Sequence, residues 1–313
     1  MNPSGGTELQ MQFLEQHVDK TLLEQVQITT SVPEKIPLAK DKINILWEHN
    51  SYDQPNLAPW FKDKSNHSKY DWYVFNSHWT YEKYRYYFQV PEDKCTVIKN
   101  AIDYDELVLK TDFTPKPKIK MCYISTPWRG LEIALAAMEG IKDPNITLDV
   151  YSSTIIYGQS FHDQNDKGYH KLYEKAKSLP NVNYMGYCKH DKLLTKLHEY
   201  DINCFPSIWE ETFCISAMES LAAGQMLITT DLGAIPETCA EFPVYIPYTS
   251  NKKNLTIQLA EAILQSKEIL KEDISHGLKF QQDYYKRFYD WNIIGNFWTN
   301  FLKGVIHVKR NQK

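Results

Sequence analysis

Beyond residue 119, short apolar runs rich in β-branched residues alternate with longer stretches of helical spacing. IKMCYIS, ITLDVYSS, VNYMGY, DINCFPS, LITT and VYIPY read as strands, and LEIALAAMEGI, YHKLYEKAKSL and LLTKLHEY as helices between them. Leu255 to about Phe288 reads as one helical stretch and WNIIGNFWTNFLKGV as another. Before residue 119 the rhythm is patchier. Apolar positions at Leu9, Met11, Phe13, Leu14 and Val18 predict a helix from Thr7 to Val18. VQITTS, INILWEHN, YDWYVFNS and KCTVIKNA read as strands, and HWTYEKYRYYFQV as a helix that Pro91 ends. This alternation predicts the α/β class with doubly wound sheets. TPKPKIK, Thr114 to Lys120, predicts the junction between an N-terminal domain (1–114) and a C-terminal domain (120–288), with residues 115–119 as linker. No strand reads ahead of Gly5-Gly6, so the first domain is short and its first strand is missing or replaced.

Composition narrows the class. A chain of 313 residues, 42% hydrophobic and 24% charged, suits two ordinary globular domains. A net charge of −4 argues against nucleic acid as the main partner. The six cysteines show no CxxC or ligand-like spacing and read as reduced, buried thiols of a cytoplasmic protein. No apolar run approaches the roughly 20 residues that span a bilayer, and MNPSGGTELQ lacks the features of a signal peptide. The basic tail KGVIHVKRNQK reads first as a solvated end and second as a weak contact for an anionic membrane surface.

The chemistry concentrates in PSIWEETFCISAMESLAAGQMLITTDLGAIPE, Pro206 to Glu237. Glu211 falls on a loop beyond a strand, where ligands of doubly wound sheets bind, and Glu219 on the helix that follows. A loop carboxylate accepts hydrogen bonds from sugar hydroxyls, and one two helical turns on reaches a ribose diol. TFCIS opens that helix with N–H groups that favour a diphosphate.

The segment closely resembles the donor-sugar signature of retaining, nucleotide-sugar-dependent glycosyltransferases of the group 1 type, glycosyltransferase family 4. The resemblance is strong over about residues 120–245 and weak before 115. It implies the GT-B architecture: two Rossmann-like doubly wound domains facing a cleft, the N-terminal one shortened. The helix of residues 289–313 would cross back to the first domain. By the resemblance, Glu211 holds the transferred sugar and Glu219 the nucleotide ribose. The family's glycines on either side of Phe213 are replaced by Thr212 and Cys214. Backbone N–H groups over Thr212, Phe213, Cys214 and Ile215 would face the sugar phosphate, with the two side chains crowding that approach and narrowing donor choice.

Other assignments follow from the same resemblance. In YISTPWRGLEIAL, Arg129 is the single match to the family's pair of diphosphate-binding cations, and Ser125 and Thr126 are hydrogen-bond donors beside it. VNYMGYCKHDKL resembles the segment framing the base, with Gly186 allowing close approach and Tyr187 and Cys188 lining it. Gly5 and Gly6 resemble the Gly loop facing the diphosphate or acceptor, and His49, closing INILWEHN, a histidine near the reacting sugar. The aromatics between residues 47 and 88 read first as core and second as stacking faces for an acceptor sugar. No convincing DxD-like loop is present, so no metal and no cofactor beyond the nucleoside-diphosphate sugar donor is expected. The implied reaction is transfer of a hexose-type sugar to a hydroxyl of a glycan or glycolipid acceptor. The alternatives are a non-catalytic sugar-nucleotide or glycan-binding protein of the same fold, and a nucleotide-sugar epimerase. Base, sugar, acceptor and oligomeric state are not legible.

Overall fold

The computed structural model describes residues 5–311 and divides into two compact units. The first unit is built from Gly6–Asp103, the tripeptide Glu211–Phe213 and the chain from Phe288 onward. Its strands are β1 (Val26–Thr30), β2 (Ile43–Glu48), β3 (Trp72–Phe75) and β4 (Cys95–Val97), all parallel and in the order β1-β2-β3-β4. The order runs in one direction, and no strand precedes β1 among the described residues. Helices α1 (Gly6–His17), α2 (Lys20–Leu23), α3 (Ala58–Lys62) and α4 (His78–Phe88) belong to this unit.

β2 is buried at every position, as a central parallel strand covered on both faces must be. Its period of two divides the core. Ile43, Ile45 and Trp47 pack with Phe13, Leu14, Trp291, Trp298 and Leu302. Leu46 packs on the opposite side with Phe61, Tyr73, Tyr84 and Phe88. The same alternation sends Glu48 to the α4 side and His49 to the side of Trp47, whose ring lies 4.5 Å from the imidazole. Part of the aromatic-rich stretch is therefore core: Trp47, Phe61 and Tyr84 are fully buried, whereas Tyr52, Trp60, Trp72 and Trp79 are half-buried.

The second unit comprises Gly5 with Tyr104–Glu210 and Cys214–Arg287. Its strands are β5 (Ile119–Tyr123), β6 (Ile146–Val150), β7 (Val182–Tyr184), β8 (Ile202–Phe205), β9 (Met226–Thr230) and β10 (Val244–Ile246). They form a parallel sheet in the order β10-β9-β8-β5-β6-β7. The chain winds outward from β5 in one direction, returns to β8 beside it, and winds outward in the other. That reversal makes the gap between β5 and β8 the topological switch point. The helices are α5 (Leu131–Gly140), α6 (Gln159–Asn165), α7 (His170–Ser178), α8 (His190–Leu194), α9 (Ile215–Ala223), α10 (Ile235–Cys239), α11 (Lys252–Ile269) and α12 (Ser275–Tyr289). α12 runs into the first unit at Phe288, and α13 (Trp291–Asn311) buries Trp291, Ile294, Trp298, Leu302 and Val305 in that unit's core.

Three expectations are corrected. The chain enters the second unit at Tyr104, not at Thr114–Lys120. Of the lysines in that linker, Lys116 places Nζ 2.7 Å from Asp201 Oδ1, where Lys110 joins it at the same distance, and Ile119 already begins β5. The helical stretch over Leu255–Phe288 is two helices, because the Asp273 carboxylate accepts the Ser275 N–H at 3.0 Å and starts α12 afresh. LLTKLHEY is the end of α8 followed by a single 3₁₀ turn, Leu197–Glu199. All six cysteines are thiols, and Cys122, Cys204, Cys214 and Cys239 are buried. Among the described residues no helix is long and apolar enough to cross a membrane.

Candidate functional site

In the second unit the candidate residues gather at the switch point. The loop leaving β5, Ile124–Gly130, folds on itself: Tyr123 donates its hydroxyl to the Thr126 carbonyl at 2.8 Å, and the Arg129 N–H reaches the same carbonyl at 3.2 Å. Gly130 closes this loop with φ 116°, a conformation that side chains avoid. A Cβ at Gly130 would lie 2.1 Å from the carbonyl oxygen of Pro206, the residue that follows β8. Only glycine lets the loops after β5 and β8 meet so closely. Thr126 is buried, and its Oγ1 has no hydrogen-bond partner among the described residues. Ser125 and Arg129 are half-buried beside it.

The loop after β8 leads into α9. Cys214 precedes this helix with φ 53°. A residue with a Cβ thus holds the left-handed backbone that a glycine would adopt without strain. The N–H groups of the first turn of α9, from Ile215, have no carbonyl ahead of them in the helix and present positive charge at the crevice. Glu219 lies within α9 and is 4% exposed. Its Oε1 is 2.7 Å from Nε2 of His190, the first residue of α8. Gly186, with φ 68°, turns the chain between β7 and α8, and Tyr187 and Cys188 are half-buried in the turn. The structure therefore brings the segment 182–193 onto Glu219 through His190, a residue the sequence reasoning did not single out. Its position four residues after Gly186, in the same quoted segment, was the available signal.

The remaining candidates lie in the first unit, apart from Gly5, which groups with the second. Gly6 is the first residue of α1, and Gly5 is buried immediately before it. His49 ends β2 with its ring buried. Nε2 has no hydrogen-bond partner among the described residues, and burial pushes the imidazole down to about 3, so it is neutral at ordinary pH. Glu48 is fully buried beside it. Its Oε1 accepts the Asn50 N–H at 2.8 Å, and burial drives the carboxyl well above the usual range. Glu211 is 4% exposed and Phe213 1%. Phe213 packs against Tyr289, with ring centroids 6.2 Å apart.

The Thr212 side chain is hydrogen-bonded within the first unit. The hydroxyl donates to the His49 carbonyl at 2.7 Å and accepts from Asn76 Nδ2 at 3.3 Å. One hydroxyl thus serves as donor and acceptor at once.

A model of the family described as glycosyl transferases, group 1, matches residues 113–274, more than half of the chain. No curated protein matches it. Solved structures share the fold along most of the length. A glycosyltransferase from Rickettsia africae ESF-5 aligns over 98% of this chain and 84% of its own at 15% identity, with a TM-score of 0.64. Sucrose-phosphate synthase from Thermosynechococcus elongatus covers 96% of this chain and 79% of its own at 14% identity and TM-score 0.65. The pneumococcal O-GlcNAc transferase GtfA, solved with UDP and GlcNAc, covers 96% of this chain and 60% of its own at 14% identity and TM-score 0.66. At these identities the likeness speaks for the fold, which is GT-B with parallel sheets of four and six strands.

Proposed function

This chain belongs to the group 1 glycosyl transferases, and from that membership we propose that it moves a sugar from a nucleoside-diphosphate sugar to an acceptor hydroxyl with retention at the anomeric carbon. The supporting observation is the crevice at the β5–β8 switch point. The loop after β5 carries a half-buried cation, Arg129, and an unsatisfied buried hydroxyl, Thr126, and the loop after β8 leads to the N-terminus of α9, the helix that holds the buried carboxylate Glu219. This set suits a nucleoside diphosphate: positive charge for the phosphates and a carboxylate for the ribose diol.

In the reaction we propose, Arg129 and the first turn of α9 take up charge on the departing diphosphate, and they do this without a metal. Glu219, held by His190, accepts from the ribose hydroxyls. Glu211 accepts from hydroxyls of the transferred sugar, and the neutral His49 hydrogen-bonds the same sugar. The acceptor oxygen attacks the anomeric carbon from the leaving-group side as the bond to the phosphate oxygen breaks. The acceptor's proton passes to that oxygen, so no covalent enzyme intermediate is needed. The acceptor is a glycan or glycolipid, and the enzyme works in the cytoplasm. UDP, bound in the solved structures of GtfA and of Anabaena HepE, is the first nucleotide to try.

A thermal-shift panel of UDP-, GDP-, ADP- and dTDP-sugars at roughly millimolar concentration tests the donor site in wild type and Glu219→Ala. One nucleotide should raise the wild-type midpoint, and the rise should be largely lost in the variant. A well-folded wild type that responds to none of them overturns the assignment.

A further inference from the structure

The tripeptide Glu211–Phe213 is tied to the end of β2 by a small hydrogen-bond network that the reaction scheme does not use. Thr212 is its centre. Its Oγ1 donates to the His49 carbonyl at 2.7 Å and accepts from Asn76 Nδ2 at 3.3 Å. Thr80, on α4, completes the other side. Its Oγ1 is 3.1 Å from Asn76 Oδ1 and 3.3 Å from the Thr212 carbonyl, two acceptors for one proton. The peptide after His49 is fastened independently: Glu48 Oε1 accepts the Asn50 N–H at 2.8 Å, and the Tyr84 hydroxyl donates to the Asn50 carbonyl at 3.2 Å.

Asn76, Thr80, Tyr84 and Glu48 are all buried. Their polar atoms are costly to leave without partners, so the network has few alternative arrangements of comparable energy. Thr212 is the member whose side chain links the Glu211 loop directly to the His49 main chain. On one side it is covalently next to Glu211, and on the other it holds the carbonyl of His49.

Resting on the proposed reaction, we infer that Thr212 is a positioning residue: its hydroxyl fixes Glu211 relative to His49, so that both meet the transferred sugar in one geometry. This assigns Thr212 a task different from contact with the donor. It also gives a reason for threonine where the resembling family has glycine, since glycine has no hydroxyl with which to make this link. The effect falls on the rate of transfer and not on nucleotide binding, because the hydroxyl's partners, His49 and Asn76, belong to the first unit, whereas the residues proposed for the nucleotide belong to the second.

Thr212→Val removes the hydroxyl and keeps the shape, and Thr212→Ser keeps the hydroxyl. Two readouts are taken on the full chain. The first is amide hydrogen exchange over peptides covering 48–52 and 211–213, which needs no activity. In Thr212→Val, exchange should rise in both segments together, while Thr212→Ser stays near wild type. The second is steady-state transfer with the donor identified by thermal shift. Thr212→Val should lower kcat roughly tenfold or more and leave the donor KM within about twofold, with Thr212→Ser restoring the rate.

Wild-type exchange in both segments of Thr212→Val, or an unchanged kcat, overturns the inference. So does a rise in donor KM at constant kcat, which would return Thr212 to donor contact. If Thr212→Val loses global protection, Asn76→Ala, which removes only one partner of the hydroxyl, is read in its place by the same two criteria. If wild type transfers no sugar from any donor, the proposed function fails, whereas the exchange experiment still decides whether the link exists.

Discussion

Asp201 and Glu219 in the second unit and Glu48 in the first are held in opposite ways. In the second unit the acids sit against basic groups. Asp201 is 2.7 Å from the ammonium groups of both Lys110 and Lys116 and accepts the Lys120 N–H at 2.9 Å. Glu219 is paired with His190 at 2.7 Å. In the first unit, Glu48 is met by a main-chain hydrogen bond, and burial dominates, so its carboxyl stays protonated well above the ordinary range. Its neighbour His49 is equally buried and neutral. A region that pairs its charges depends on keeping both partners. A region that neutralises them depends on pH. The comparison can be broken at four places.

The largest effect is expected at Asp201. Asp201→Asn would leave Lys110, 8% exposed, without its counter-ion in a site where burial already draws the ammonium below its usual range. Breaking a buried pair from one side costs about 3–5 kcal/mol. Urea unfolding followed in the second unit should show a loss of that size. A loss below about 1 kcal/mol would mean that Lys110 reaches water and that the pairing is incidental.

The first unit should answer to pH instead, with opposite signs at adjacent residues. His49 has a native pKa near 3 against about 6.5 unfolded, so the unfolded chain binds the extra proton. Its contribution is fully present above about pH 6.5 and is lost as pH falls toward 3. Glu48 has a native pKa raised above 4.5, so the native state binds the extra proton. Its contribution is present at low pH and is lost as pH rises through the raised value. Between about pH 4.5 and 6.5 the two slopes oppose, each about 1.4 kcal/mol per pH unit at most. Relative to wild type, Glu48→Gln should lose stability faster on acidification. His49→Gln should lose it as pH is raised. Urea midpoints across that window that run parallel in all three proteins would show that neither group is buried in solution.

His190→Ala sharpens the comparison at a smaller scale. If pairing orients Glu219 for the ribose, the variant should bind the cognate nucleotide about five- to tenfold more weakly by calorimetry, roughly 1–1.4 kcal/mol. Unchanged affinity would mean that α9 alone positions Glu219.

How far these features could be read in advance follows the same divide. β5 to β10 were legible because each is a short apolar run set off by polar or Gly- and Pro-bearing turns, and the switch point follows from their order. Glu219 and Arg129 were legible for the same reason, since local pattern places them on a helix and a loop. What escaped was decided by partners far away in sequence. TPKPKIK has the composition of a linker, but Lys116 is held by Asp201, which no local window contains. The hydrogen bonds of Thr212 were not legible, because its partners, the His49 carbonyl and Asn76, belong to a region more than a hundred residues earlier. His190 carried no signal of its own, because a histidine opening a short helix looks the same whether or not a carboxylate meets it.

The smallest effect concerns backbone and not charge, and it reverses a usual order. Cys214 has φ 53° at the entrance to α9 and is 6% exposed. A Cβ in the left-handed region costs roughly 1–2 kcal/mol, and burying its thiol returns part of that cost. Cys214→Ala keeps the strain and gives up the buried sulfur, so it should destabilise by about 1 kcal/mol. Cys214→Gly gives up the sulfur too and adds about 0.5–1 kcal/mol of chain entropy in the unfolded state, but it releases the strain. Glycine should therefore be at least as stable here as alanine, opposite to their order inside a helix. Melting of the two variants side by side decides it. Alanine more stable than glycine by 0.5 kcal/mol or more, a threshold of about the size of the glycine entropy term, would mean that the backbone at residue 214 relaxes out of the left-handed region. The N-terminus of α9 would then be less firmly set than the proposed phosphate site requires.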